Sequence, residues 1–437
     1  MLAGRCSQDL GLVGDYVKAM GLMILQGEHE GNVIATGISY SVKNLIQIAF
    51  PCMRSVEPIL SKWVYLISMI FLSLSVVFFP SLEANSETNQ FNIHKFITAY
   101  DFNESDIPFI ASHFDLIDTS LGKANQIQKI KSLNPSFKAI FYKDALTHRE
   151  GATESWYVRD AQTGSRLINK DWGWYLMDIG NQAYRNSLAS SIKNSLANNP
   201  VFDGVFLDDV WGAATLGEFY REGTKELAVL PPHVIKYLHD NMKLLIIQIK
   251  MAIGRKLLII NTGAFNTDYL ALSDGQMYEG FCHANWEAFG EYYPEWRKML
   301  HRMIIASASG KIYLAQSGIQ KWATESQTIK TARYCYSMFL LGANSNSFFY
   351  FSKNYRGVTY FPEWDVDIGS PIEDYRARAG TPLYEREYSK GLVVINPSSE
   401  SVQINFGTKY KTRDGAVTDT IRMEDHEGEI LLKHTED

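Results

Sequence analysis

The chain has 437 residues, enough for more than one domain, and a formal net charge of −6. That mild acidity leaves no basic footprint for a nucleic-acid partner. The four cysteines, Cys6, Cys52, Cys282 and Cys335, show neither a CxxC pair nor metal-ligand spacing. Cys282 and Cys335 stand open to two readings, buried thiols or one bridge.

Residues 1–52 show repeated glycine and no clear periodicity. Trp63 to Phe79 (WVYLISMIFLSLSVVFF) is uncharged and almost wholly apolar, a little short of the ~20 residues that span a bilayer. Arg54 and Lys62 precede it, and Glu83 and Glu87 follow, which directs the carboxyl side outward. A basic start, an apolar centre and Ala84 as cleavage point also fit a secretory signal. Signals begin proteins, so translation is expected to start at Met53. Residues 1–52 are then an upstream extension and 53–84 a signal peptide or membrane anchor. The expected product is secreted or extracytoplasmic, and meets a membrane only through residues 63–79.

From Phe91 the chain alternates strand and helix. KFITAYDF (95–102) reads as a first strand, followed by a helix capped by Asn103 or Ser105. FDLIDTS (114–120) is a second strand, with a helix closed by Asn134-Pro135. FKAIFYKD (137–144) is a third. A long excursion follows, with a hairpin turning on Gly164. Next comes a helix with Leu188, Ile192 and Leu196 one turn apart. FDGVFLDDV (202–210) is the fourth strand, and a helix over 232–253 follows. KLLIIN (256–261) is the fifth strand and GQMYEGF (275–281) the sixth. After a helix from Pro294 to about Ser309, KIYLAQSG (311–318) is the seventh. A last helix precedes SFFYF (347–351), the eighth. Eight such units predict an α/β fold, a (β/α)8 TIM barrel over 91–375. No GxGxxG follows the first strand to favour a doubly wound sheet. Beyond Asp374, alternating apolar and polar residues with turns at Lys390-Gly391, Pro397, Asp414-Gly415 and Glu427-Gly428 predict a small antiparallel β domain over 376–437.

Barrel enzymes keep their sites at the carboxyl ends of the strands. Here those ends read Tyr100-Asp101, Asp118, Tyr142 with Asp144, Asp208-Asp209, Asn261, Glu279, Gln316 and Tyr350. Such a cup is costly in a packed core and sensible for a polyol. Cleaving a glycosidic bond needs two carboxyl groups, one to protonate the leaving oxygen and one to attack the anomeric carbon or activate water. Asp208 is expected to point inward as nucleophile. Asp209 is expected to orient it or to cap the next segment, and Glu279, two strands on, to serve as acid/base with its pKa raised by burial and a neighbouring carboxylate. The other strand-end groups, with Trp211 and Trp286, are expected to bind substrate. All nine Trp except Trp63 lie from Trp156 onward, and those in loops suit stacking on sugar faces. Trp156, Trp172 and Trp174 are expected to wall a subsite. No metal or cofactor is expected: there is no HExxH, no GxSxG, and no phosphate-cradling glycine loop.

FDGVFLDDV, with WGWYLMDIGNQAYRNSL before it, YEGF after it and LYEREYSKGLVVINPSS beyond, resembles the hypothetical glycosyl hydrolase family 15 over roughly Phe91 to Gly407. More distantly, an Asp ending the fourth strand and an acid ending the sixth is similar to retaining α-galactosidase barrels and to the endo-α-1,4-polygalactosaminidase family. The resemblance implies an exopolysaccharide or α-linked substrate and a nucleophile at Asp208. Two functions then compete. One is a glycoside hydrolase working by two carboxylates, with retention; the other is a carbohydrate-binding barrel without turnover. A metal-dependent phosphoesterase is the third and thinnest reading.

Overall fold

A computed structural model describes residues 32–35, 38–41, 91–210, 219–263 and 266–434 of the chain. Met53, the apolar stretch 63–79 and Trp211 lie outside them. In the amino-terminal unit, Asn32–Ala35 pairs antiparallel with Ile38–Ser41. Among the described residues no helix is long and apolar enough to cross a membrane.

The second unit, Gln90–Asp437, contains a closed barrel of eight parallel strands. In chain order these are β1 (His94–Thr98), β2 (Leu116–Thr119), β3 (Lys138–Asp144), β4 (Gly204–Asp208), β5 (Leu257–Asn261), β6 (Gly275–Tyr278), β7 (Ile312–Gly318) and β8 (Ser347–Ser352), with β8 closing on β1. The intervening helices are α1 (Ile107–His113), α2 (Ala124–Leu133), α3 (Gln182–Asn198), α4 (Pro232–Ile253), α5 (Thr267–Leu272), α6 (Trp296–Ala308) and α7 (Glu325–Gly342). A short 3-10 turn, Pro362–Asp365, stands where an eighth helix would follow β8.

Local chemistry explains several boundaries. Asn181 caps α3 by accepting from the backbone of Ala183 and Tyr184, and Thr324 and Gln327 form a reciprocal capping box on α7. Pro at the first helical turn starts α4 at Pro232, as the sequence predicts. The six-residue α5 has no counterpart among the predicted elements. It is too short for periodicity to show, and rests on the Asn266 cap. β1, β2, β4 and β6 stop before their predicted ends, at Thr98, Thr119, Asp208 and Tyr278, because the sequence pattern continues past the last ladder bond into the loops. Gly204 and Gly275 open β4 and β6, where a Cβ would sit 2.2 Å from the Leu257 carbonyl oxygen and 2.3 Å from that of Ile312. Only glycine lets the strands that end in the acidic residues approach their neighbours so closely.

The excursion after β3 forms a four-stranded antiparallel sheet that includes Leu167–Asn169, Tyr175–Leu176 and Phe219–Arg221. Gly164 takes a positive φ of 72° at the expected turn. The carboxyl-terminal sheet has six strands, β9 (Arg376–Ala377), β10 (Tyr384–Tyr388), β11 (Gly391–Asn396), β12 (Val402–Lys411), β13 (Val417–Met423) and β14 (Glu427–Lys433), in the order β9-β10-β11-β14-β12-β13. It packs on α7: Tyr388 donates to the Leu340 carbonyl at 2.5 Å, and Arg386 to that of Ala343 at 2.9 Å.

Candidate active site

Register decides which side chains share the barrel interior. Thr98 pairs with Asp118, Tyr142 with Phe206, Asp144 with Asp208, and Asn261 with Met277. Because side chains alternate along a strand, Asp118, Tyr142, Asp144, Asp208, Asn261 and, two residues past Met277, Glu279 fall on one face. The opposite face meets the helices, as where the Phe349 ring packs 5.2 Å from both Tyr336 and Phe339 of α7.

Asp208 ends β4 with its Oδ1 accepting from the Asp209 backbone at 2.9 Å and from Asn261 Nδ2 at 2.9 Å. Tyr142 donates to the same carboxyl group. Burial pushes the Asp208 pKa up, and these three donors pull against it by favouring the charged form. Glu279 lies just beyond β6. Tyr355 donates to its Oε1 at 3.1 Å, and the Asn261 amide reaches it as well. Burial, and then the charge of Asp208, push Glu279 up to about 8. One amide thus touches both carboxyl groups.

Asp209 is buried and adopts φ 55°, the left-handed region that costs a non-glycine residue about 1 kcal/mol. The turn sends its side chain to Asp144, with which it shares a hydrogen bond. Burial, then Asp144 and Asp208, raise Asp209 to about 10, so this pair holds a proton at neutral pH. Asp144 itself accepts from the backbones of Leu146 and Thr147 at 2.8 and 2.6 Å and from the Thr147 hydroxyl, closing the turn after β3; burial sets it near 6. Asp118 is fully buried. Its Oδ2 accepts from Tyr100 at 2.8 Å, its Oδ1 has no partner, and burial raises its pKa well above the usual carboxyl range.

Other expected site residues sit elsewhere. Asp101 is exposed on the rim, 3.7 Å from Arg356, because β1 ends at Thr98 and the chain has already turned outward. Tyr350 is fully buried among Phe96, Phe114 and Trp364. Gln316 is buried and accepts from the Thr98 hydroxyl at 2.8 Å, a tie between β7 and β1 past the intervening β8. Trp286 is 61 % exposed in the loop after β6, where a ring is free to stack. In the excursion, Trp172 is exposed, Trp174 lies under the Arg149 guanidinium, and Trp156 packs on Tyr184.

Two features escape a strand-end reading. Tyr355, which holds Glu279, comes from the loop after β8, and nothing in its sequence surroundings distinguishes it from other loop tyrosines. Cys282, three residues past Glu279, is bonded to Cys335 of α7, which selects the bridge over free thiols. The same loop is fastened by His283, whose ring nitrogens lie 2.9 Å from the carbonyls of Gly318 and Ala288.

The model of the family described as "Hypothetical glycosyl hydrolase family 15" matches residues 131–392, from the end of α2 into β11, a shorter stretch than the resemblance covers in the sequence. Among solved structures, the glycoside hydrolase domain of PelA from Pseudomonas aeruginosa is similar at 13% identity, with 64% of this chain and 98% of that one covered and a TM-score of 0.41. A maltogenic alpha-amylase, AmyB from Thermotoga neapolitana, is similar at 9% identity over 79% and 98%, TM-score 0.45. Ega3 from Aspergillus fumigatus, in complex with galactosamine, is similar at 11% identity over 61% and 92%, TM-score 0.36.

Proposed function

The chain belongs to hypothetical glycosyl hydrolase family 15, and from that premise we propose that it cleaves a polysaccharide or oligosaccharide by double displacement, with Asp208 as nucleophile and Glu279 as acid/base. The carrying observation is Asn261, whose amide serves both carboxyl groups. Carboxyl groups close enough to share one amide suit retention, for which the two stand ~5–5.5 Å apart, better than inversion, which needs ~6.5–9.5 Å to seat a water.

The surroundings support the division of labour. Three donors favour the charged form of Asp208, so it is the carboxylate of the pair. Glu279, raised to about 8, carries a proton at neutral pH. Asp208 bonds to the anomeric carbon while Glu279 protonates the leaving oxygen. Glu279, now charged, then takes a proton from water, whose oxygen displaces Asp208. Asp209, protonated with Asp144, presents its backbone N–H to Asp208 and positions it. Tyr100, Tyr142 and Trp286 are the proposed substrate contacts, with Asp118 holding Tyr100 and Asn261 holding the two carboxyl groups. The Cys282–Cys335 bridge supports an oxidising compartment, and hence export.

The test is reducing-end release from a panel of α- and β-linked glycans, with the anomer of the product read by NMR. Release by the wild type with the substrate's own configuration, and a silent Asp208→Asn variant that still binds, support the reading. A variant as active as wild type, or an inverted product, ends it.

A further inference from the structure

On the outer flank of the barrel, α6 and the carboxyl-terminal sheet enclose an open groove of about 510 Å³. Its walls are Arg297, Lys298, His301 and Arg302, with Ile305, Tyr375 and Tyr384 completing the lining. The volume falls within the ~300–1,000 Å³ usual for small-molecule sites. The chain as a whole is acidic at −6, yet the ionisable side chains lining this groove are basic, apart from the two phenols.

The apolar part of the lining is equally specific. Ile305 is 59 % exposed, large for an isoleucine on a barrel helix. The Tyr384 ring is braced edge-on by Trp296 at 4.7 Å and lies 5.9 Å from the Arg297 guanidinium. Tyr375 is held by a 2.7 Å hydrogen bond to His301 Nε2. Lys298 is partly offset by Glu295 at 3.1 Å, and Arg302 is turned to Met299 and Tyr278, so Arg297 is the cation best placed to meet a ligand. Two fixed rings and a bare aliphatic chain suit the C–H face of a pyranose. A guanidinium at their edge suits a carboxylate.

We propose that this groove is a second saccharide site, separate from the barrel mouth, that takes a uronate or similarly carboxylated unit of a polysaccharide chain. The preference for an anion comes from the groove itself. The preference for a sugar rests also on the hydrolase reading above. Such a site holds a polymer on the outside of the barrel while another stretch enters the cup, and raises its effective concentration there.

The experiment is affinity electrophoresis and calorimetry on the full chain with polygalacturonate, dextran and poly-glutamate as probes. Wild type, Arg297→Ala/Tyr384→Ala and Arg297→Glu are compared, with melting curves for each. The single charge reversal, at an exposed position, keeps the test alive should loss of Tyr384 disturb Trp296. Wild type is expected to bind polygalacturonate at least tenfold more tightly than dextran, more weakly as salt rises, and both variants to lose that preference. Cleavage of a short oligosaccharide should be unchanged in either variant. Equal binding of dextran, equal binding of poly-glutamate, or variants that bind polygalacturonate like wild type each overturn the proposal. A chain inactive on every glycan that still loses polygalacturonate with Arg297 would remove the hydrolase reading and keep the groove.

Discussion

Asp160 and Asp209 are both buried carboxyl groups in one barrel unit, and their surroundings drive their protons in opposite directions. Burial raises both. At Asp160, in the sheet beyond β3, the backbones of Val229, Thr163 and Gln162 donate at 2.7, 2.8 and 3.0 Å and Arg221 stands 3.1 Å away. Together they outweigh burial and hold Asp160 well below the usual carboxylate range. At Asp209 the neighbours are Asp144, Asp208 and Glu279, and each pushes the same way as burial. The first arrangement fixes a charge for structure. The second withholds compensation, so that protons move within the working pH range.

The sharpest way to break this contrast is at the reacting pair. Asp208→Asn should lower kcat by roughly 10³-fold or more without lowering Tm. Glu279→Gln should lower it by about 10²–10⁴-fold, and less on substrates with good leaving groups, because a proton is then least needed. A uniform loss across leaving groups would remove Glu279 from the acid role.

The next effect is on pH dependence. As the proposed acid, Glu279 would work while protonated, so kcat/KM should fall as pH rises through about 8. Tyr355 donates to its charged form, so Tyr355→Phe should move that limb to higher pH; a limb that stays put would show that the phenol only packs.

Stability separates the two regions by sign. Glu279 has its folded pKa raised from 4.5, so its ionisation costs stability progressively as pH climbs from about 4.5 toward 8. Glu279→Gln should therefore raise Tm at pH 8, by about 2 °C or more, and leave it little changed at pH 4. Asp160 has a depressed pKa, so its contribution is present above about pH 4 and lost as pH falls through the folded value. Asp160→Asn should lower Tm at pH 7 and converge with wild type in acid. Parallel pH profiles for the two variants would erase the distinction.

The barrel was legible because its strands are apolar runs closed by polar residues, and that pattern also led to Asp208 and Glu279. Asp101 shows the limit of such reading. A strand end read from apolarity overshoots the last ladder bond, and Asp101, three residues past Thr98, is an exposed rim residue where a ligand was expected. Tyr350 shows another: a phenol at a strand end signals a site only if the surrounding rings leave it open, and Phe96, Phe114 and Trp364 do not. Tyr355 and the partnership of Cys282 with Cys335 depend on distant segments meeting, which no local pattern encodes.

That bridge makes the acid answerable to a distant part of the molecule. Cys282 sews the loop after Glu279 to α7, and α7 is gripped from its other side by Tyr388 and Arg386 of the carboxyl-terminal sheet. Closing a loop of 53 residues restrains the unfolded chain by about 4 kcal/mol on entropic grounds, but the larger consequence is mechanical. Sheet, helix, bridge and loop form one strut. A truncation at Arg376, made to trim an ornament from the barrel, would loosen the far end of that strut and let Glu279 drift from its place beside Asn261 and Tyr355 without touching a single residue of the cup.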